Sequence, residues 1–287
     1  EELWSANNAL PNAGAKPEPA PGTRPEFTPL NDHYRIDINT TPPTISETDW
    51  RLRVNGLVES PVAFTLNDIR KYPSLDQFVT LACISNPVGG DLTSTQRWSG
   101  VSLQRLLPDL RLRPEATHLK LTAADGFFET VSLETIKADE RVMLTYAWDG
   151  VPLQVQHGFP LRIYIPYLYG MKQPKWIESI DAMDHWEPGY WVERGWDREA
   201  QMRATSVIDN VAVDMMISQA NEKTLIAVGG IAHAGSRGIS KVEVKVDNGE
   251  CREAAIRPPL SQTTWVIWRY DWLFRPGNHT FTVRCYD

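Results

Sequence analysis

The sequence has little positive charge, few cysteines and no long apolar segment. Its 29 Lys and Arg are outnumbered by 36 Asp and Glu, which gives a net charge of −7, whereas a protein that binds nucleic acid needs a basic surface for the phosphate backbone. No stretch approaches the ~18 consecutive apolar residues of a membrane-spanning helix. These absences argue against a nucleic-acid-binding protein and against a membrane helix within this sequence.

The three cysteines form no recognised metal or haem motif. No Cys-x-x-Cys pair is present, so a zinc ribbon is excluded, and the absence of Cys-x-x-Cys-His excludes a covalently attached c-type haem. With 287 residues, 42% of them hydrophobic, the chain can bury a substantial core without a disulfide framework. We therefore expect a folded protein of one large or two medium domains.

The N-terminal region is rich in proline and poor in large apolar residues. Prolines occupy positions 11, 17, 19, 21, 25 and 29, and such a composition buries too little surface to offset its own ordering entropy. We predict that residues 1–29 form a floppy tail or an extended spacer. Because the chain starts at Glu1 rather than Met, we also expect a processed or trimmed product.

Residues 30–200 alternate short strand patterns with short helix patterns. The alternation of apolar and polar residues over 50–56 predicts a half-buried strand, and the spacing of Thr65 and Asp68 predicts a capping box at the start of a short helix. We expect further strands at 78–83, 119–122, 142–148, 161–165 and 176–180, and helices near 102–107 and 132–137. This mixture predicts an α+β domain.

The helix patterns end at about residue 200, and the strand patterns become clearer. Residues 241–246 and 281–286 alternate apolar with polar side chains, and Asn248-Gly249 is typical of a two-residue hairpin turn. A series of strands without helices predicts a small β-sandwich over residues 201–287.

The hairpin turn has a consequence for two of the cysteines. A two-residue turn pairs Val246 with Cys251 and places Cys251 on the apolar face. Cys285 shares the face of Phe281 and Val283. The two thiols are then either ordinary buried cysteines or a disulfide formed in an oxidising compartment.

Cys83 differs from the other cysteines because it ends a predicted strand. The residues that follow, 84–91, include Ser, Asn, Pro, Gly and Asp, which favour a loop with exposed backbone groups. Position alone fits either a buried structural cysteine or a functional thiol. A hydrolase would need a histidine beside its nucleophile, and nothing in the sequence supports such a pair.

Several blocks of the sequence occur in the order and spacing of the sulfite oxidase family. Residues 79–86 followed by 97–103 resemble the family's cofactor-cysteine region. The remaining similar blocks are 27–29 with Tyr34-Arg35, 148–153 with 157–162, and 166–176. Residues 235–239, with the valine-rich strand after them, are similar to the family's immunoglobulin-like dimerisation domain. The resemblance covers about residues 27–287.

The resemblance implies a single molybdenum atom held by a molybdopterin dithiolene and by Cys83, in a sulfite-oxidase-type α+β domain followed by an immunoglobulin-like β-sandwich. Cysteine binds a metal as thiolate. The anionic phosphate of such a cofactor requires local cations in a protein of negative net charge. The implied cofactor contacts are Tyr34, Arg35, Asp37, Cys83, Asp125, His157, Arg162, Lys172 and Lys175. The implied catalytic residues are Cys83, Arg35 and Tyr190.

One stretch departs from the pattern of the sulfite-oxidising members. Those relatives carry arginines shortly after the cysteine, whereas residues 84–88 here are Ile-Ser-Asn-Pro-Val. Because an anionic substrate in a desolvated pocket needs such cations, we expect sulfite to be a poor substrate. Arg35 is the one obvious remaining contact for an oxyanion.

The resulting expectation is a molybdenum-dependent oxidoreductase that transfers an oxygen atom in a two-electron reaction. The alternatives are an S-oxide or N-oxide reductase on the same cofactor, and a non-catalytic extracytoplasmic binding module built on an enzyme fold. The resemblance implies a homodimer. The spacer-like composition of residues 1–29 indicates an extracytoplasmic location with a possible upstream membrane tether, and the absence of a haem-attachment motif implies a separate electron-transfer protein or membrane domain.

Overall fold

The chain passes between two units more than once, so neither unit is continuous in sequence. The structure, a computed structural model, describes residues 2–218 and 223–287. The first unit contains residues 2–7, 34–77 and 96–201, and the second contains residues 8–33, 78–95 and 202–287.

Short strands form most of both units. The strands before residue 200 are β1 Leu52–Gly56, β2 Val62–Phe64, β3 Leu75–Ala82, β4 Thr93–Ser102, β5 His118–Ala123, β6 Phe128–Ser132, β7 Met143–Trp148, β8 Val151–Pro152, β9 Arg162–Tyr164 and β10 Ile177–Met183. The later strands are β11 Thr205–Val211, β12 Ile217–Ser218, β13 Thr224–His233, β14 Lys241–Val246, β15 Arg252–Glu253, β16 Ala255–Ile256, β17 Val266–Leu273 and β18 Phe281–Tyr286.

The helices of the described residues are few and short. The α-helices are α1 Trp4–Asn7, α2 Leu66–Arg70, α3 Leu103–Leu106 and α4 Leu133–Ala138. Single 3-10 turns occur at Leu30–Asp32, Leu107–Leu110, Val155–His157, Gly170–Lys172, Val192–Arg194 and Gly235–Arg237. The predicted mixture of strands and helices is confirmed in a form that is dominated by sheet. None of the described helices is long and apolar enough to cross a membrane.

The first unit is built on a mixed sheet with the strand order β2-β1-β10-β5-β6. β1 runs parallel to β10, and the other neighbours are antiparallel. Leu52 and Val54 are fully buried, whereas Arg53 between them is exposed, as the alternation predicts. The capping box at α2 is also confirmed, because the Thr65 and Asp68 side chains each accept a hydrogen bond from the other's backbone N–H.

A second sheet has the order β3-β4-β7-β8, with β9 also paired to β7. The chain leaves the first unit within β3, after Gln77, and returns to it within β4, at Gln96. β7 and β9 are antiparallel, and Thr145 lies opposite Arg162. This pairing fixes the position of Arg162 at the start of β9.

The second unit contains a sheet of order β11-β13-β17-β16, to which β12 adds, and a sheet of order β15-β14-β18. Residues of both sheets share one hydrophobic core, including Val228, Val244 and Trp268. The indole N–H of Trp268 lies 3.1 Å from the Val207 carbonyl, so this buried donor is satisfied.

Residues 8–29, expected to form a tail or spacer, pack within the second unit instead. Asn12 is buried and donates to the Pro258 carbonyl at 2.8 Å, and Ala20 is 2% exposed. Arg257 pairs with Glu26 at 3.2 Å and donates to the Asn12 carbonyl at 3.0 Å. Polar contacts with distant residues therefore help to order a segment that has few large apolar side chains.

The hairpin after β14 has a different register from the one predicted. Glu243 pairs with Glu253 and Val244 with Arg252, which is one residue away from the pairing that a two-residue turn at Asn248-Gly249 requires. A shift of one residue exchanges the two faces of a strand. Cys251 is consequently exposed, the expectation of a buried Cys251 is wrong, and all three cysteines are free thiols.

We predict that the three thiols react with an aromatic disulfide reagent in a defined order. Cys251 is exposed, whereas Cys83 is buried and burial raises the pKa of the half-buried Cys285 thiol. Since the thiolate is the reactive form, native protein should show one fast thiol, and Cys251→Ser should remove it. Unfolded, unreduced protein should contain three thiols. A count of one would instead establish a disulfide between Cys251 and Cys285.

Candidate functional site

Four of the predicted cofactor residues meet in the first unit around one carboxylate. Arg35 Nε donates to Asp37 Oδ2 at 2.5 Å, and the Lys175 ammonium contacts Asp37 Oδ1. Lys175 Nζ also donates to the Gln156 carbonyl at 3.1 Å and lies 4.7 Å from the centre of the Trp176 ring. We call Arg35, Asp37, His157, Arg162 and Lys175 the basic cluster.

The remaining members of the cluster lie against two fully buried tryptophans. The Arg162 guanidinium is 4.8 Å from the centre of the Trp98 ring, and its Nη1 donates to the His157 carbonyl at 2.9 Å. The imidazole of His157 and the indole of Trp148 have centres 4.7 Å apart. The Trp98 face excludes water from one side of the guanidinium and stabilises its charge.

The turn between His157 and Arg162 depends on a glycine. Gly158 has φ +114°, and a Cβ atom there would lie 3.1 Å from Arg162 Cβ and 3.2 Å from Lys175 Cβ. Glycine is therefore needed both for the backbone conformation and for the close approach of the two basic residues. This local requirement explains why glycine directly follows His157.

Burial lowers the pKa values of three basic groups in the cluster. Burial, then the charge of Arg162, lowers the pKa of Lys175 to about 8. Burial lowers the pKa of Arg162 to about 10, with the charges of Tyr34 and Asp37 opposing that change. Burial, reinforced by the charge of Arg162, lowers the pKa of His157 to about 3. At neutral pH the His157 imidazole is therefore neutral, whereas Arg162 and Lys175 are positive.

The cluster has the properties of an anion-binding site. Three positive charges face one carboxylate, and the buried Arg162 Nε has no hydrogen-bond partner among the described residues. A buried donor of this kind is costly unless it is paired. A phosphate group would supply both the missing acceptor and the missing negative charge, so these residues fit an anionic cofactor.

Cys83 belongs to the second unit, directly after β3. Its Sγ lies 3.1 Å from the Ser85 hydroxyl, and its backbone N–H donates to the Leu92 carbonyl at 2.9 Å. The Asn86 side chain accepts from the Leu92 N–H at 3.0 Å. A Cβ atom on Gly90 would lie 2.4 Å from Asn86 Oδ1, so glycine permits the loop to close on Asn86.

A cation that the sequence did not indicate lies beside this loop. Arg24 donates to the Gly90 carbonyl at 3.2 Å and makes a two-pronged contact with Asp209, the shortest at 2.7 Å. The pairing with Asp209 compensates the charge of Arg24. No residue of 84–92 is basic, so the loop itself carries no free cation.

Tyr34 lies close enough to act on the pKa of Arg162, whereas Asp125 and Tyr190 have partners outside the basic cluster. Asp125 accepts from the Phe127 N–H and from the Asn39 side chain, each at 3.1 Å, which is the contact pattern of a turn aspartate. Tyr190 packs against Phe127, with ring centres 6.4 Å apart, and against the guanidinium of Arg194 at 3.5 Å.

Lys172, another predicted cofactor contact, pairs with Glu129. Its ammonium lies 3.1 Å from Glu129 Oε2, and Lys172 and Glu129 are both almost fully buried. Burial raises the pKa of Glu129 to about 7, although the charge of Lys172 opposes this change.

The sequence analysis did not predict that Trp98 and Trp148, which we call the aromatic wall, lie against the basic cluster. Both tryptophans fall within the blocks that resemble the sulfite oxidase family. They were assigned to the core because most large aromatic residues are core residues.

Among the described residues, no three His, Cys, Asp or Glu side chains lie close enough together to hold a metal ion. A metal bound here would therefore need ligands besides the protein's own side chains.

The basic cluster lies in a sheet-rich α+β unit and has a composition that fits an anionic cofactor. The family described as oxidoreductase molybdopterin-binding domain matches residues 39–191, about half of the chain. The chain belongs to this family and is a molybdopterin-type oxidoreductase related to sulfite oxidase.

Individual relatives agree with this assignment. An uncharacterized oxidoreductase of Bacillus subtilis is 31% identical over 52% of this chain and 73% of its own length. A putative protein-methionine-sulfoxide reductase subunit of Azospira oryzae is 28% identical over 61% of this chain and 63% of its own length. Mitochondrial sulfite oxidase of Rattus norvegicus is 26% identical over 89% of this chain, but the match spans only 54% of that protein.

A solved structure shares the fold. The crystal structure of the sulfane dehydrogenase SoxCD from Paracoccus pantotrophus superposes with a TM-score of 0.78, covering 91% of this chain and 72% of that chain at 22% identity. The likeness concerns the arrangement of secondary structure, and the predicted α+β character agrees with it.

We predict that His157 stays neutral from about pH 5 to about pH 8 in cofactor-free protein. Burial and the charges of Arg162, Lys175 and Arg35 lower its pKa to about 3, so its ring ¹⁵N shifts should not titrate in this range. The internal control is the exposed His185, whose pKa is raised above 6.5 by its hydrogen bond with Asp184 and which should titrate normally. A His157 midpoint near 6.5 would contradict the described cluster.

Proposed function

We propose that the basic cluster binds the phosphate of a molybdenum–molybdopterin cofactor and that Cys83 is the protein ligand of the metal. The observation that carries this proposal is the excess of positive charge at Arg35, Arg162 and Lys175, together with the unpaired Nε of the buried Arg162. Membership of the molybdopterin-binding family supports the identity of the anion. Cys83 is supported by its place in the block that resembles the family's cofactor-cysteine region.

The residues of the chain bind and orient the cofactor. The bound molybdenum cofactor supplies the two-electron redox chemistry of oxygen-atom transfer. Arg162 donates its free Nε hydrogen to a phosphate oxygen, while Lys175 adds a point charge. Neutral His157 can donate from one ring nitrogen and accept at the other. Trp98 covers one face of the guanidinium and keeps water from it, which strengthens its interaction with the anion.

The substrate is proposed to be a small S-oxide or N-oxide in preference to sulfite. The loop after Cys83 has no cation of its own, Arg24 is paired with Asp209, and Arg35 is engaged with Asp37 and with the Thr40 carbonyl. A neutral or zwitterionic oxide does not need these charges. The similarity to a putative protein-methionine-sulfoxide reductase subunit also supports S-oxide reduction.

The remaining proposals concern the second unit and the setting of the protein. We propose that residues 201–287 form an immunoglobulin-like sandwich that mediates a homodimer, since two sheets there share one core. Domain limits at residues 30 and 200 stay a prediction. We also propose an extracytoplasmic location, with electrons exchanged with a separate protein or a membrane domain.

The cofactor assignment predicts different losses for two variants. Arg162→Gln should lower the molybdopterin content of purified protein by at least about tenfold, because a charge-assisted contact of about 1.5 to 3 kcal/mol is removed. Cys83→Ser should fold and keep the pterin but lose oxidoreductase activity. Pterin fluorescence and metal analysis on protein from a cofactor-competent host measure both effects.

Arg105→Gln is the matched control for Arg162→Gln, because Arg105 lies in the same unit and its guanidinium makes a weak contact at 3.4 Å with the Pro73 carbonyl. It should retain normal pterin content. Wild-type pterin content in Arg162→Gln would refute the phosphate site, and full activity in Cys83→Ser would refute the metal ligand.

We predict that sulfite is oxidised poorly and that a neutral sulfoxide is reduced more efficiently. Loss of one charged contact to the oxyanion costs about 1.5 to 3 kcal/mol, or roughly ten- to a hundredfold in kcat/KM. Steady-state kinetics with an artificial electron carrier at low salt compares the two substrates. Sulfite oxidation at about 10⁵ M⁻¹s⁻¹ or above would show that cations elsewhere bind the oxyanion.

A further inference from the structure

A cavity of about 360 Å³ lies in the first unit and has no part in the proposed cofactor site. This volume is within the range of about 300 to 1,000 Å³ that is typical of small-molecule sites. Its lining combines aromatic and aliphatic side chains, including Tyr167 and Trp186, with the polar residues His118, Thr130 and Lys172.

The cavity has a buried polar end. Lys172 and Thr130 are 5% and 7% exposed, and both line the cavity. The Thr130 hydroxyl has no hydrogen-bond partner among the described residues. Lys172 uses one of its three donors for Glu129 Oε2 at 3.1 Å. A buried hydroxyl without a partner is costly, and a ligand with hydrogen-bonding oxygens would offset this cost.

The cavity lining also includes a cation that stacks on an aromatic ring. The Arg198 guanidinium lies 4.1 Å from the centre of the Trp186 ring, and its ion pair with Glu199, which also lines the cavity, is long, at 3.7 Å, and exposed. Burial, followed by the positive charges of His185 and Arg198, lowers the pKa of His118. A guanidinium beside an aromatic ring can contact an anion that carries an apolar group.

The cavity and the basic cluster lie toward opposite ends of β5. His118, which lines the cavity, begins this strand, and Ala123, which ends it, pairs with Ile177 next to Trp176. Five residues of extended strand span about 17 Å. No residue of the basic cluster lines the cavity, so a ligand there would not replace the phosphate of the cofactor.

We propose that this cavity binds a small organic carboxylate, with its carboxyl group at Lys172 and Thr130 and its apolar group along Tyr167 and Trp186. A carboxylate accepts from both the ammonium and the hydroxyl. The inference does not rest on the proposed function, because it depends only on the lining of this cavity.

The test is a titration of the full chain with benzoate, which combines a carboxylate with a flat apolar ring. Calorimetry should show saturable binding, and the neutral analogue benzamide should bind at least about tenfold more weakly, since it lacks the charge-assisted contact. The ¹⁵N-labelled protein should show shifts for the amides of Thr130 and Tyr167.

Variants locate the bound carboxylate. The double change Lys172→Met with Glu129→Gln removes both charges of the buried pair together and should weaken benzoate binding at least about tenfold. Thr130→Val should weaken it severalfold. Lys137→Met is the matched control, because Lys137 is exposed and does not line the cavity, and it should bind benzoate normally.

The contrary outcomes are equally specific. Absence of saturable binding at millimolar benzoate, or equal affinity for benzamide, would overturn the proposal. Loss of binding in Lys175→Met with retention in the Lys172 double variant would assign the carboxylate to the basic cluster and would also overturn it. If circular dichroism shows that the double variant is unfolded, Thr130→Val decides the question, and unchanged affinity there would count against the site.

Discussion

The first unit depends on a local excess of positive charge that its own residues do not neutralise. Arg35, Arg162 and Lys175 converge on the single carboxylate of Asp37, and removing such charges from water is costly unless they are paired. An anion that binds the folded state alone would stabilise it through mass action. Cofactor binding and the stability of this unit are therefore expected to be linked, and a bound anion beside Lys175 is expected to raise the pKa of its ammonium group.

Local sequence patterns predicted the elements whose structure is decided locally. The alternation over β1 and the Thr65–Asp68 capping box depend on neighbours within a few residues, and both are present. The cluster of His157, Arg162 and Lys175 was also predicted, because its members lie within nineteen residues on blocks that resemble a known family. Its aromatic wall was missed, because composition alone does not distinguish a core tryptophan from one that stacks on a functional guanidinium.

Contacts between distant residues could not be predicted in the same way. Arg24 meets Asp209 across 185 positions, and Lys172 meets Glu129 across 43. The Arg24–Asp209 pair contributes to the order of residues 8–29, and the pair with Glu129 keeps Lys172 apart from the basic cluster. The predicted register of the hairpin at Asn248-Gly249 was wrong for a smaller reason. The same sequence fits a two-residue or a three-residue loop, but the two loops place Cys251 on opposite faces of the strand.

The path of the chain through the two units limits how the protein can be divided. The part of β3 that leads to Cys83, residues 78–82, belongs to the second unit, where Ser261 and Thr263 donate to the Phe78 carbonyl and the Trp265 N–H donates to the Thr80 hydroxyl. A truncation at residue 201 would leave this strand without those partners. The sequence match over residues 39–191 therefore does not mark a separable catalytic module, and evolutionary loss or exchange of the C-terminal strands would alter the support of the cysteine loop itself.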